Sequence, residues 1–457
     1  MGSETHTAPG GASTFARLAV GPLALLLVSL IDAFGLDTAS SQVSLAVVQR
    51  LFAPLYPDDA QDQVLVVEIT DQDLPLSPDS PPGGWPAKFD DYATLIEVIG
   101  GQEGQRPRAV FFDIFLDRAP TIDDPVDHLC EVIANLEQQG VPLFFASLIE
   151  SRQRGLPRSL AACPNPVRTA SADWTGSAEN MTFLGVPGEG VTDEPVAAQA
   201  LFQAAATETV SLAMERAIAA HPEMTIMWGS APPVSNPDCA DYDTETLAGR
   251  LGRSAELVAK SIVLDRGARE TVQAQQPCAY HARLSPGNVL SDNSRIRSFL
   301  QRQYFTDRYV LVGASISGIP DDIRSPVHGT LPGVYLHAMA LDNLLVWQDR
   351  FVRPAPDLQL PLVDDWAVSL DTLFEAGVLA LIAWQMFVAT RPADQSRGLA
   401  ASIFLRVRMT LSLIFILAAT VGLTFVVMRW TPYNWGGVFV AGLAMIWPWS
   451  YQLEDKS

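Results

Sequence analysis

Recognisable catalytic and nucleotide-binding signatures are missing from this chain. It contains no G-x-x-x-x-G-K-[ST] loop, no G-x-G-x-x-G turn, no H-E-x-x-H pair and no protein-kinase signature. Those gaps remove the commonest routes to phosphate cradling, dinucleotide binding and zinc hydrolysis. No C-x-x-C pair occurs either, so neither a zinc ribbon nor a thioredoxin-like site is expected. Bases are scarce: 30 Lys and Arg stand against 51 Asp and Glu, a net charge of −21. The deficit is local. Residues 37–370 hold 23 bases and 44 acids, while the remainder is balanced at seven of each. A surface this acidic repels phosphate backbones, which argues against nucleic acid as a partner and against an anionic lipid surface for that region. Calcium or a basic partner is permitted, although solubility is the commoner reason for such a charge.

The four cysteines, Cys130, Cys163, Cys239 and Cys278, all fall within the acidic region. An even number confined to one segment suits two disulfides in an oxidising compartment. Pairing along the sequence, 130 with 163 and 239 with 278, is favoured among three connectivities, with unpaired buried thiols as the alternative.

Long apolar runs are confined to the two ends. Leu18–Phe34 is apolar except for Ser29 and Asp32. It is short for a full span of about 20 residues, and Thr38-Ala39-Ser40 offers small residues for signal-peptide cleavage. An uncleaved anchor over 18–36 is the favoured reading. Near the C-terminus, Thr372–Thr390, Leu411–Met428 and Val438–Trp449 form three apolar segments, the last beginning near Trp435. The stretch 391–408 between the first two carries Arg391, Arg397, Arg406 and Arg408 against Asp394 alone. By the positive-inside rule that loop is cytoplasmic. The expected organisation is a cytoplasmic tail (1–17), a transmembrane anchor (18–36), an extracytoplasmic domain (37–370), a three-helix transmembrane bundle (371–450) and a second cytoplasmic tail (451–457). Membrane lipid is accordingly an expected partner, and a bacterial inner membrane with the large domain in the periplasm is the expected location.

At 457 residues the chain exceeds one typical domain. Within the acidic region Val64–Ile69, Ala109–Leu116, Leu143–Ile149 and Tyr309–Val312 read as buried strands, with Tyr92–Ile99 and Val126–Leu136 as intervening helices. Continuous apolar strands alternating with helices predict an α/β domain with a mostly parallel sheet. Residues 150–300 are less regular, with helices expected over Met214–Ala220 (starting near Ala197) and Ala255–Val263. The rest of that stretch is expected to be an insertion or excursion from the sheet.

Open parallel sheets place their ligand crevice at the C-terminal strand ends. Asp71, Asp73, Asp117, Asp321 and Asp322 follow predicted strands in this way, and Arg324 and His328 share the polar loop 321–330. These seven residues are the candidate ligand-binding set, able in principle to hold a calcium ion or the amine of a small ligand; helix capping and pairing with Arg118 or Arg324 is the competing reading. Asp113 differs, because it lies inside the apolar run Phe111–Phe115 and needs a hydrogen-bonding partner there. His337 lies on an apolar helix face with Val334, Ala338 and Leu341, as a core histidine bonded to a backbone carbonyl or to an acid such as Asp113. His328, in the loop, could titrate near neutral pH. Gly313-Ala-Ser315-Ile-Ser317 misses the G-x-S-x-G elbow by one place, so no catalytic residue is assigned. Neither a metal site nor a cofactor is expected.

One stretch, Tyr309–Leu345, organises the rest. Val312-Gly-Ala314, Asp321 with Arg324-Ser-Pro326, Pro332-Gly-Val334, His337-Ala338 and Asp342-Asn-Leu-Leu345 resemble the C-terminal signature of the CHASE type 2 domain, an extracytoplasmic sensory module. Val64–Asp71, Trp85-Pro86 and Arg108–Phe115 fit the same family. The resemblance implies structural roles for Asp113, Gly313, Pro332, Gly333, His337 and Asn343, and a non-enzymatic sensor. In the family, output usually comes from a cytoplasmic domain on the same chain. Here only a short tail follows the last span, so a separate cytoplasmic protein is the expected partner, and homo-oligomerisation is compatible with the pattern. The alternative is a structural component of an envelope complex with no small ligand.

Overall fold

The computed structural model describes residues 36–76, 84–148, 156–174, 181–183, 194–233, 246–263, 278–290, 293–319, 321–359, 367–389, 399–432 and 434–447. The chain divides into two compact units, Gln49–Val352 and a second made of Met1–Val48 with Arg353–Ser457.

The first unit is built on six parallel strands: β1 (Val64–Thr70), β2 (Ala109–Phe112), β3 (Leu143–Ser147), β4 (Arg168–Ser171) and, after a short antiparallel pair β5 (Met181–Phe183) and β6 (Glu223–Thr225), β7 (Ala282–Leu284) and β8 (Tyr309–Ser315). Their order across the sheet is β4-β3-β2-β8-β1-β7, so the last strand inserts between the first two. The register pairs Val110 with Val310 and Phe112 with Val312 on one side of β8, and Val64 with Tyr309 and Val66 with Leu311 on the other. Alternation along the strands sorts the side chains into two buried layers. Leu65, Val67, Val110, Phe112, Phe145, Val310 and Val312 share one core with helices Phe89–Gly100 and Asp127–Gln138. Each helix presents an apolar stripe, Tyr92, Leu95, Ile96 and Ile99 in the first and Leu129, Val132, Ile133 and Leu136 in the second. The first stops at Gly101, whose φ of 68° suits glycine. The opposite layer is covered by helices Ala197–Ala205 and Val334–Trp347. Gly313 is required there: a Cβ at this position would stand 2.4 Å from the Cβ of Val334.

The α/β fold with a mostly parallel sheet is as expected, and four of its strands were legible. Several boundaries shift. β2 ends at Phe112 and β8 extends to Ser315. Residues 150–300 are no mere excursion, since they supply β4 at one sheet edge and β7 beside β1 at the other. The helix expected from Ala197 to Ala220 is two helices, Ala197–Ala205 and Glu208–Ala220, because Thr207 is extended at the junction. The expected helix from Ala255 begins earlier, at Leu247. The polar loop after β8 is a hairpin of β9 (Asp322–Ser325) and β10 (Gly329–Pro332).

Cys130 is bonded to Cys163, tying helix Asp127–Gln138 to the turn Leu160–Ala162 across a separation of 33 residues. Cys278 is also disulfide-bonded; Cys239 lies outside the described residues. In the chain-entropy account a loop of this length contributes about 3–4 kcal/mol. Cys163→Ser is therefore expected to lower the melting temperature of the full chain, and reductant, which also opens the bridge of Cys278, is expected to lower it at least as far. A melt indifferent to the substitution would show that the helix and turn hold each other without it.

In the second unit, helices Leu370–Ala389, Leu399–Val421 and Trp435–Ile446 enclose a core of Val378, Leu379, Ile382, Leu413, Leu417 and Val438. Two of them are long and apolar enough to cross a membrane, over Leu370–Val388 and Ile403–Val427; the third is apolar but shorter. The segment 18–34 and residues 390–398 lie outside the described residues. Arg406 and Arg408, expected in a loop, are on the Leu399–Val421 helix. Near the start of the first long helix, Glu375 is buried and accepts a hydrogen bond from Asn434 at 3.2 Å.

Candidate functional site

The C-terminal ends of β2, β3, β4 and β8 open onto a cavity of about 550 Å³. Its walls come from each strand end in turn: Asp113 to Phe115 after β2, Leu148 after β3, Asp173 and Trp174 after β4, Ile316 and Ile319 after β8. Trp85 and Pro86, joined by a cis peptide bond, close one side. Asp321, Gly333 and His337 close another.

Asp113 is where the alternation of β2 delivers it. Ala109 and Phe111 face the layer of helix Val334–Trp347, and Asp113 continues that parity just past the strand, its amide still donating to Val312 O at 2.7 Å. Its side chain is only 10% exposed and that of His337 only 6%. Their closest polar approach to each other is 3.8 Å, His337 Nε2 to Asp113 Oδ2, which is too long for a hydrogen bond. Among the described residues no other side chain or backbone group bonds either of them; His337 otherwise packs edge-on to Phe111. Among the described residues the partner expected for Asp113 is thus not found, and the carboxyl lines the cavity. Burial pushes Asp113 up to about 7 and His337 down to about 4. At the mouth, Asp321 is pushed up to about 6, first by burial, then by the charge of Asp113, with His337 opposing. Gly333 leaves room for it, since a Cβ there would lie 2.6 Å from Asp321 Oδ1.

The other carboxylates singled out in the sequence do not line this cavity. Asp71 accepts from the amide of Ser317 at 3.1 Å and from its hydroxyl at 2.5 Å, locking the β8 exit to the β1 exit. Asp73 caps its own turn through Thr70, at 2.8 Å to the amide and 2.7 Å to the hydroxyl, and bonds Ser285. Asp117 lies 3.4 Å from the amide of Arg158. Asp322 and Arg324 are exposed on β9, opposite Pro332 and Thr330. His328 is buried, not exposed, with Nδ1 2.9 Å from Cys278 O and Nε2 2.7 Å from Gly229 O. Burial pushes it down to about 4, against two carbonyls that favour the imidazolium. Asn343 is buried in a polar network beneath the Val334–Trp347 helix, and Pro332 ends β10 just before it. Sequence reasoning missed Asp173 and Trp174, since β4, Arg-Thr-Ala-Ser, has no apolar run to mark the strand they follow.

A parallel α/β domain with a ligand-sized cavity at its C-terminal strand ends has the architecture of a small-molecule binding domain. A CHASE2 domain family model matches residues 23–385. The chain belongs to the CHASE2 domain family, a family of extracytoplasmic sensory domains. No curated protein and no solved structure matches it.

Proposed function

We propose that this protein is a membrane-anchored sensor that binds a small signal in the β2–β8 cavity outside the cell membrane. It relays occupancy through its helices to a separate cytoplasmic protein and catalyses no reaction itself. In this reading residues 37–370 are periplasmic, 18–36 anchor the chain in a bacterial inner membrane, 371–450 form the remaining spans, and both tails are cytoplasmic. The observation that carries it is the pair Asp113 and His337, nine-tenths buried, unbonded among the described residues, and directed into a cavity of a CHASE2 domain. Outward-facing Leu381, Trp384, Phe404 and Phe415 on the two long helices favour lipid around them. Continuity of the chain at Val352-Arg353 supports the relay part of this reading. Val352 O accepts from Thr225 at 2.8 Å inside the sensory unit, and the next residue, Arg353, pairs with Arg429 and Thr431 in the helical unit at 3.0 and 2.8 Å.

Two measurements on the full chain test this. A reporter inserted near Gly155 is expected to be active only outside, and one fused after Ser457 only in the cytoplasm. Filling the cavity with Ala314→Phe is expected to slow hydrogen exchange both at 316–333 and at 429–432. Exchange altered only at the cavity would leave binding without relay, and a periplasmic C-terminus would mean a different number of spans.

A further inference from the structure

The described residues that line the cavity bear one sign of charge. Among the described residues Asp113, Asp173 and Asp321 contribute carboxyl groups, His337 is the single imidazole, and neither lysine nor arginine lines it. An acidic cluster alone would mean little. Here two of its members, Asp113 and His337, are buried polar side chains that nothing among the described residues satisfies, and unsatisfied buried groups are costly. The remaining walls are apolar or aromatic, with Trp85, Ile114, Phe115, Leu148, Trp174 and Ile316 around the carboxyls.

We infer that the cavity takes a small organic cation, a primary ammonium on an aromatic or aliphatic body, held between Asp113 and Asp321. The inference rests on the reading of this cavity as the signal site. An ammonium supplies three donors and no acceptor, which suits two carboxylates and the acceptor nitrogen of a neutral His337. Trp85, Phe115 and Trp174 bring aromatic rings to the lining, the kind of group that attracts a cation and covers its body. A metal ion fits less well. No group of three His, Cys, Asp or Glu among the described residues is placed to hold one, and calcium takes six to eight oxygens. The ionisation states agree with a cation: burial resists charge on Asp113 and Asp321 in the free protein, and an ammonium between them reverses that balance. Among the described residues Asp173 beyond β4 and His337 on its helix are the other titratable groups lining the cavity with the pair.

The test is calorimetric titration of the full chain in lipid nanodiscs with 2-phenylethylamine and n-butylamine. 2-Phenylethanol, 3-phenylpropionate and calcium chloride serve as neutral, anionic and metal comparisons. Amine binding is expected, weakened about tenfold between pH 8 and pH 6 as Asp113 takes up a proton, and abolished by Asp113→Asn. Asp321→Asn is expected to weaken it and reduce the pH dependence below pH 6. If neither amine binds, or if affinity rises as the pH falls, the cation assignment is overturned. Binding of the alcohol, the acid or calcium that depends on Asp113 overturns the cation while leaving the signal site standing. If none of the probes binds and Ala314→Phe also leaves exchange at 429–432 unchanged, the sensing role itself falls.

Discussion

Asn343→Ala is expected to destabilise the sensory unit by about 3–5 kcal/mol, lowering its melting temperature by roughly 6–10 °C. Asn343 is fully buried and clamps a stretch of chain that has no regular partner. Its Oδ1 accepts from Met227 N at 2.8 Å while its Nδ2 donates to Met227 O at 2.9 Å, closing a two-point contact equivalent to a strand pairing. The same amide nitrogen lies 2.8 Å from Met339 O and 3.0 Å from the Tyr56 hydroxyl. Tyr56 in turn donates to Asp342 Oδ1 at 2.6 Å, and Asp342 Oδ2 lies 3.2 Å from His281 Nε2. Truncation at 343 strands both backbone groups of Met227 away from water, each at about 1–3 kcal/mol. It also leaves a small void. Asp322→Ala, on the exposed face of β9, is the matched control and is expected to change stability by less than about 0.5 kcal/mol. Melts of the full chain that move equally for the two variants would show that water enters beneath the helix and replaces the amide.

Strands buried on both faces declare themselves in sequence, because every position must be apolar: Val64-Leu-Val-Val67, Ala109-Val-Phe-Phe112 and Tyr309-Val-Leu-Val312 were readable for that reason. Edge strands carry no such demand. β4 has Arg168 half out in solvent, reaching Glu137 at 2.8 Å, and β7 has Arg283 beside Glu68 at 3.2 Å, so both look like loop. The hairpin β9–β10 was hidden the same way, since Asp322 and Arg324 alternate outward while Ile323 and Ser325 face in. The site was visible as residues but not as a site. Asp113, Asp321 and His337 each stood out, the first and last for burial and Asp321 for its strand-end loop. Their convergence depends on β8 lying beside β2, and strand order is a property of the whole sheet. Conversely, Asp71 and Asp73 sit at the correct strand end, yet local hydrogen bonds to Ser317, Thr70 and Ser285 engage them, something spacing alone does not reveal.

Asp113→Asn is expected to stabilise the free protein above pH 7 and to leave it almost unchanged near pH 4. The sign follows from proton binding. Burial raises the Asp113 carboxyl to about 7 in the folded chain, against about 3.9 unfolded. Between those values the folded state holds a proton that the unfolded state has released, so stability falls as the pH rises through the window. Above pH 7 the native protein carries a buried carboxylate at a cost of about 4 kcal/mol, three pH units at 1.36 kcal/mol each. Asparagine has nearly the same shape and never ionises, so the variant is spared that cost. Melts at pH 5 and pH 8 should therefore diverge, with the variant ahead by roughly 8 °C at the higher value. His337 moves the opposite way. Its ring is held down to about 4, so it gains stability for the protein as the pH rises from about 4 to 6.5, and it masks part of the Asp113 slope in the native chain but not in the difference between the two melts. Were Asp113 and His337 instead an ion pair, Asp113→Asn would strand a buried imidazolium and the variant would be the less stable protein at neutral pH. A more stable variant that no longer binds amines would mean that the carboxyl is kept for the ligand at the expense of the fold, as binding sites commonly are.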